Sequence, residues 1–297
     1  MKRSLALTIL LLFYFSNQLY SQQNTISKEL LLRCDDMGMS HSVNMAIKEV
    51  IELDIPFSTS VMFNCPWYLE AVDILRGKDH VSIDIHLTLN SEWKNYRWGP
   101  ISGKGTVPSL VDSNGYFFPS RKTFHENNPS LTDVEKELRT QIERALGTGL
   151  RIDYMDYHMG TAVDKIEHRK IVERLASEFG LAISRYFGEV DISNLYDDPI
   201  ETKTDSLIRV FNEIKEEQIN LLVCHVGHDT PELRAMIDMN TFGLKEMSKH
   251  RNAELKAISS PLFKYLLKDR GIQLINYKDI IKRDGLVKMK RPEESGY

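Results

Sequence analysis

The stretch Glu29–Glu52, "ELLLRCDDMGMSHSVNMAIKEVIE", runs from an apolar segment into two adjacent carboxylates and then into an amphipathic segment. Leu30 to Leu32 reads as a short buried strand that stops at Asp35 and Asp36. Beyond Gly38, residues Val43, Ala46, Ile47, Val50 and Ile51 recur at i, i+3, i+4, i+7 and i+8. That spacing predicts a helix with one apolar stripe, and Ser40 or Ser42 can cap its first turn. Successive strand residues face opposite sides, so the paired acids need not share one task. They also repel each other unless something positive stands nearby.

The strand–turn–helix unit recurs along the chain. Residues 57–64 read as a strand, and 66–77 as a helix opened by Pro66 and closed by Gly77. In residues 81–90, "VSIDIHLTLN", the apolar Val81, Ile83, Ile85, Leu87 and Leu89 share one face. Ser82, Asp84, His86 and Thr88 share the other. Helix 131–147, strand 152–160, helix 166–180, a weaker strand over 181–187, helix 204–218 and strand 219–228 follow. Two helices between Gly243 and Arg270 and a strand over 272–277 complete about seven alternations. This pattern predicts parallel strands with helical crossovers. An open doubly wound sheet and a closed barrel both satisfy it, and both gather ligand-binding groups at the C-terminal strand ends. No GxGxxG or GxxxxGK[ST] loop and no GxSxG elbow occurs, which argues against nucleotide binding and a serine hydrolase.

Residues 1–22 have a basic start at Lys2 and Arg3, an apolar run from Leu5 to Phe15 and a polar exit near Ser21. That is the layout of a secretory signal peptide, too short to span a bilayer comfortably. An exported protein, periplasmic or secreted, is expected, with no stable membrane insertion once the leader is removed. About 275 residues remain, enough for one large α/β domain or two small ones. The whole chain carries 38 Lys and Arg against 42 Asp and Glu, a net charge of −4 that becomes −6 without the leader. No basic run gives it an electrostatic footprint for nucleic acid, and a monomer and a homodimer both fit. Cys34, Cys65 and Cys224 are odd in number and form no CxxC pair. Buried thiols are expected rather than a disulfide framework.

Polar residues collect at the strand ends. Asp35 and Asp36 finish the first strand, His86 lies late in the third, His158 finishes the next, and His225 follows "NLLVC". A lone histidine beside an apolar run is ordinarily a hydrogen-bonded core residue, but three at corresponding strand ends beside an acid pair point to a shared site. One carboxylate and two imidazoles leave coordination positions open, as in catalytic metal sites, where an ion activates water and polarises a carbonyl. A second aspartate could then accept a proton, and a histidine on the far wall could return one. The same donors suit a non-haem iron oxygenase. Asp156 stands two residues before His158 on the same strand face; it either orients an imidazole or merely meets solvent or a helix cap.

The segments "RCDDMGMSHSVNMAI", "SIDIHLTLN", "DYHMGT" and "LLVCHVGHDTPEL", in this order, resemble the YdjC-like (ChbG/HpnK) carbohydrate deacetylases. The similarity extends through residues 250–280 and so covers nearly the whole chain after the leader. It implies a single α/β domain over residues 23–297, a distorted TIM-like (β/α) barrel with about seven parallel strands. Such enzymes use a divalent ion, Mg2+ or Zn2+, to remove acetyl groups from N-acetylated amino sugars or oligosaccharides. By position the resemblance implies Asp36, His86 and His158 as metal ligands, Asp35 as catalytic base and His225 as general acid. Arg251 matches a basic position in the family's late helix, where it binds substrate or pairs with a carboxylate. Cys34, Met37 and Val226 depart from the usual alanine, phenylalanine and proline, and "DYHMGTA" has fewer histidines than usual. These changes leave the ligand set intact and bear on substrate choice. The rival readings are a metal-independent glycosidase using Asp35 and another acid, and a non-catalytic carbohydrate-binding protein on the same barrel.

Residues 91–130 are too many for a plain connector. They carry Trp93, Tyr96, Trp98, Tyr116, Phe117 and Phe118 just after the His86 strand. Aromatic faces suit sugar rings, which makes Trp93 and Trp98 candidate substrate contacts; the alternative is a small core that seats the loop on the barrel. His41, His80, His125, His168 and His250 read as ordinary polar residues of helices and loops, and His228 is a candidate for the pocket wall.

Overall fold

The computed structural model describes residues 27–293, so the leader expected over residues 1–22 lies outside the described residues. The first strand, β1 (Lys28–Met37), turns into α1 (His41–Ile51), whose N-terminus is capped by the Ser40 side chain accepting from the Val43 N–H. The unit repeats in β2 (Phe57–Val61), α2 (Tyr68–Leu75) and β3 (Val81–Leu87). A long loop containing α3 (Arg121–Glu126) leads to α4 (Leu131–Gly147) and β4 (Tyr154–Tyr157). Then come α5 (Ile166–Phe179), β5 (Ala182–Ile183), β6 (Val190–Asp191), α6 (Lys203–Asn212) and β7 (Ile219–Cys224). The last elements are α7 (Pro231–Arg234), α8 (Met247–Ile258), α9 (Pro261–Asp269), β8 (Ile272–Ile275) and α10 (Tyr277–Asp284).

The named strands pair in parallel along the path β5-β4-β3-β2-β1-β7-β6, with β8 placed beside β1. The chain is thus a single α/β domain whose sheet curls into an incomplete, TIM-like barrel with seven strands on its path. β1 has three partners: Lys28–Leu31 pair with β8, Glu29–Cys34 with β7, and Arg33, Cys34 and Met37 with β2. The path ends at β5 and β6, where an ion pair of 2.6 Å joins Arg185, just after β5, to Asp191 in β6.

Alternation along the strands sorts the side chains into layers. Leu30, Leu32 and Cys34 belong to the apolar layer shared with the helices, whereas Leu31 joins a separate cluster with Tyr154, Leu221, Ile275 and Tyr277. The Tyr154 and Tyr277 rings stack there, with centroids 3.8 Å apart. Full burial of each leucine contributes about 1.5–3 kcal/mol. Farther along the same inward face the residues become polar: Arg33, Asp35, Ser60, Asp84, Asp156 and Ser184 are all buried. The polar face of β3 therefore looks into the barrel, toward the C-terminal strand ends.

Local differences from the sequence-based expectation have physical causes. The helix expected over 204–218 covers Lys203–Asn212, and the charge-rich stretch after it is not helical, with Glu217 at φ 56. β6 and α10 were not expected; β6 is two residues long, and α10 begins at a capping box of Asn276 and Asp279. Residues 91–130 carry a small core of their own, with Trp93, Trp98 and Phe117 buried and Val111 bridged to Phe117. Glu137 on α4 anchors this loop by accepting from the Ile101 and Ser102 N–H groups, each at 2.9 Å. Cys34, Cys65 and Cys224 are free and buried. Among the described residues no helix is long and apolar enough to cross a membrane.

Candidate active site

β1 does not run straight into its turn. Its register against β2 shifts between Cys34 and Met37, and Asp36 adopts φ 71, a left-handed conformation costing about 1–2 kcal/mol in an L-residue. A bulge of this kind re-aims a side chain. Asp36 and Asp35, instead of dividing between the two faces of the strand, both direct their carboxylates to the centre of the strand ends. Asp36 Oδ1 lies 3.3 Å from His86 Nε2 and 3.4 Å from His158 Nδ1, and those two nitrogens are 3.3 Å apart.

Each of the three groups is held from behind. Asp36 Oδ2 accepts from Arg251 Nη2 at 2.6 Å. His86 Nδ1 donates to Asp156 Oδ1 at 2.5 Å, and His158 Nε2 donates to Glu92 Oε2 at 3.0 Å. A carboxylate behind an imidazole sets the tautomer and turns the other nitrogen's lone pair toward an ion. Asp36 Oδ1 is buried without a hydrogen-bond partner. Three donor atoms therefore converge on one point, where a bound cation would take the place of the ring protons. In a tetrahedral zinc site with ligands at 2.0–2.1 Å, neighbouring donor atoms are about 3.3–3.4 Å apart. The residues present fit such an ion.

Electrostatics point the same way. Burial opposes ionisation of Asp36, but Arg251 and the His158 and His86 rings hold its carboxyl well below the usual range. Burial also disfavours charge on His158, yet Glu92 and Asp36 push it up to about 9. His86 is raised in the same way, against its burial, by Asp156 and Asp36. The carboxylates around the two imidazoles, Asp36, Asp156 and Glu92, thus favour positive charge at the centre.

Asp35 receives two bonds from Arg33, Nε to Oδ1 at 2.7 Å and Nη2 to Oδ2 at 2.9 Å. The Ser60 hydroxyl stands 2.8, 3.0 and 3.1 Å from Asp35, Asp84 and Asp156. One hydroxyl proton cannot serve three carboxylates. Burial and the neighbouring Asp156 raise the Asp84 carboxyl well above its usual range, which keeps it neutral. On the far side, the His225 backbone N–H donates to Glu254 Oε2 at 2.7 Å, and the His225 Nδ1 is buried without a partner. Burial depresses the His225 imidazole, with Asp36 opposing the shift and Arg251 adding to it. A cleft of 270 Å³ reaches Asp35 and His225 between Tyr157, Met159, Arg185 and Asn194. A hollow of 730 Å³ beside Ser27, Glu29 and Ile219 lies at the opposite rim, away from the strand ends where such barrels place their chemistry.

The structure brings Asp36, His86, His158 and Asp156 into direct contact, pairs Arg251 with Asp36, and sets Asp35 and His225 on one cleft. Trp93 and Trp98 are 2 % and 3 % exposed and offer no open ring face to a sugar in this structure. Trp98 stands edge-on to His158 at 6.1 Å between centroids, and the Arg251 guanidinium lies 6.0 Å from the Trp93 ring. His228 sits 3.8 Å from Glu49 on α1. Glu92 and Arg33 were not singled out from the sequence. The one available signal for Glu92 was its place five residues beyond β3, and for Arg33 its charge inside an apolar strand.

The family described as YdjC-like protein matches residues 29–269. A carbohydrate deacetylase of Enterococcus faecalis is 27% identical over 266 residues, covering 86% of this chain and 98% of that protein. One from Clostridium beijerinckii is 27% identical over 260 residues, covering 84% and 99%. A solved structure from Enterococcus faecalis V583, of a protein named for cellobiose-phosphate cleavage, agrees with a TM-score of 0.70 at 24% identity, covering 86% and 99%. That likeness establishes the fold.

Proposed function

Because the chain belongs to the YdjC-like family, we propose that it is a carbohydrate deacetylase, a hydrolase that removes acetyl groups from N-acetylated amino sugars or oligosaccharides. The observation that carries this reading is the convergence of Asp36 Oδ1, His86 Nε2 and His158 Nδ1, at 3.3–3.4 Å from one another, with each group braced on its outer side. The relatives named carbohydrate deacetylase, matched over almost their whole length, support it.

Asp36, His86 and His158 would hold a divalent ion. Two imidazoles in the set favour zinc over magnesium. When bound, such an ion supplies Lewis-acid polarisation of the acetyl carbonyl and a water nucleophile near neutral pH. The chain's own groups do the rest. Arg251 keeps Asp36 anionic and oriented, while Asp156 and Glu92 keep the two imidazoles in register. Asp35, oriented by Arg33 and Ser60, takes the proton of the attacking water. His225 delivers a proton to the departing nitrogen. Trp93 and Trp98 brace Arg251 and His158.

A glycosidase has less to stand on, since Asp35, Asp84 and Asp156 gather around one buried hydroxyl rather than flanking a sugar. The layout of residues 1–22 supports export to the periplasm or medium, to be checked by N-terminal sequencing of the mature protein. The central experiment combines elemental analysis with acetate release from N-acetylglucosamine oligosaccharides. Release that stops on chelation and returns with zinc is expected. Silence across the whole panel, or release indifferent to complete metal removal, overturns the reading.

A further inference from the structure

The loop of residues 91–130 ends near α3, and α3 brings a second group of donor atoms together outside the centre described above. His125 on α3, Asp164 after β4 and His168 in the first turn of α5 each place a ligand-type atom within 4.8 Å of the others. His125 Nε2 donates to Asp164 Oδ2 at 2.7 Å. The two imidazole rings lie almost parallel, 16° apart with centroids separated by 5.4 Å, and Phe124 stands edge-on to both.

An ordinary ion pair between His125 and Asp164 explains only part of this arrangement. Asp164 Oδ1 and His168 Nδ1 are both buried and have no hydrogen-bond partner, a condition that folded proteins avoid. The Thr161 backbone favours charge on the His168 ring, and the unpartnered Nδ1 leaves that ring a buried donor atom for an ion. The His125 and Asp164 side chains are 22% and 14% exposed, so an ion can enter from solvent.

We propose that His125, Asp164 and His168 form a second metal site, for a divalent transition-metal ion of the zinc class, which fastens the end of the 91–130 loop to the segment carrying His158. Two imidazoles and one carboxylate suit zinc and its neighbours better than magnesium or calcium, and solvent completes the coordination. Asp164 lies six residues beyond His158, and the intervening Thr161 donates its hydroxyl to Asn90 Oδ1 at the start of the loop. An ion at this site would clasp the loop at both ends. The site stands apart from the deacetylase reading and does not depend on it.

The test uses the full mature chain, stripped of metal, titrated with zinc alone and desalted before elemental analysis. In a background carrying Asp36→Ala and His158→Ala, which disables the first centre, one equivalent of zinc should still bind and raise the melting temperature. Adding His125→Ala and His168→Ala should abolish both the equivalent and the shift. In the otherwise unaltered chain, His125→Ala alone should lower the zinc content from two equivalents to one. Failure of the first background to bind zinc, retention of zinc after both histidines are replaced, or a single equivalent in the unaltered chain that His125→Ala leaves in place overturns the proposal.

Discussion

Asp36 holds the tightest set of constraints in the molecule. It is buried, left-handed in φ, ion-paired to Arg251 through one oxygen and set against two imidazoles through the other. Asp36→Ala should abolish metal binding and acetate release together. It also strands the Arg251 guanidinium in the interior, and removing one partner of a buried pair costs about 3–5 kcal/mol, which urea unfolding will read. Asp35→Asn should separate the two properties, keeping the metal by elemental analysis while turnover falls roughly 10²–10⁴-fold. Near-normal turnover in that variant would assign the proton acceptor elsewhere. At this scale the sequence was informative wherever a residue ended a strand, because position along a parallel sheet places a side chain in space. It was silent on Glu92, which reaches His158 through an irregular loop, and on the bulge that turns Asp36, since strict alternation sends neighbouring residues apart.

Among elements, the packing of α8 on the end of β7 depends on Glu254, which accepts the His225 N–H. Burial raises its carboxyl to about 7, against the pull of that N–H, Lys203 and Arg251. An unfolded glutamate titrates near 4.3, so the folded state holds this proton more tightly. The stabilisation from this group is complete below about 4.3 and is lost as pH rises through about 7. Urea unfolding at pH 5 and pH 8 should show a decline of order 2–4 kcal/mol that Glu254→Gln removes; equal declines in both proteins would mean the carboxyl is ionised throughout. The long loop depends on α4 in a similar way. Glu137→Ala leaves the Ile101 and Ser102 N–H groups without their acceptor, costs about 2–3 kcal/mol and should speed proteolytic cleavage within residues 91–130. Helix 131–147 was read to the residue because seventeen positions carry a sustained period. β6 was missed because two residues carry none.

For the molecule as a whole, an ion bound only by the folded state stabilises it by mass action, about 2.7 kcal/mol at a hundred-fold excess over Kd. Chelation should therefore lower the melting temperature by roughly 5–10 °C in a chain of this size, and calorimetry with zinc added back should restore it. An unchanged transition would mean that the buried donors are satisfied without metal. Alternating strands and helices foretold parallel pairing, but not whether the sheet would close. The curl rests on which short strands meet at its ends, and β5 and β6 are too brief to announce themselves. The three-way pairing of β1 has one more consequence. Its neighbours β7 and β8 are the last strands a ribosome delivers, about 190 and 240 residues later. The β1 edge that β7 covers must therefore wait until Cys224 has been made, and Lys28–Leu31 wait longer still for β8. The nascent polypeptide stays pliable for most of its translation, and a chain cut short before Ile219 has no native way to cover that waiting edge.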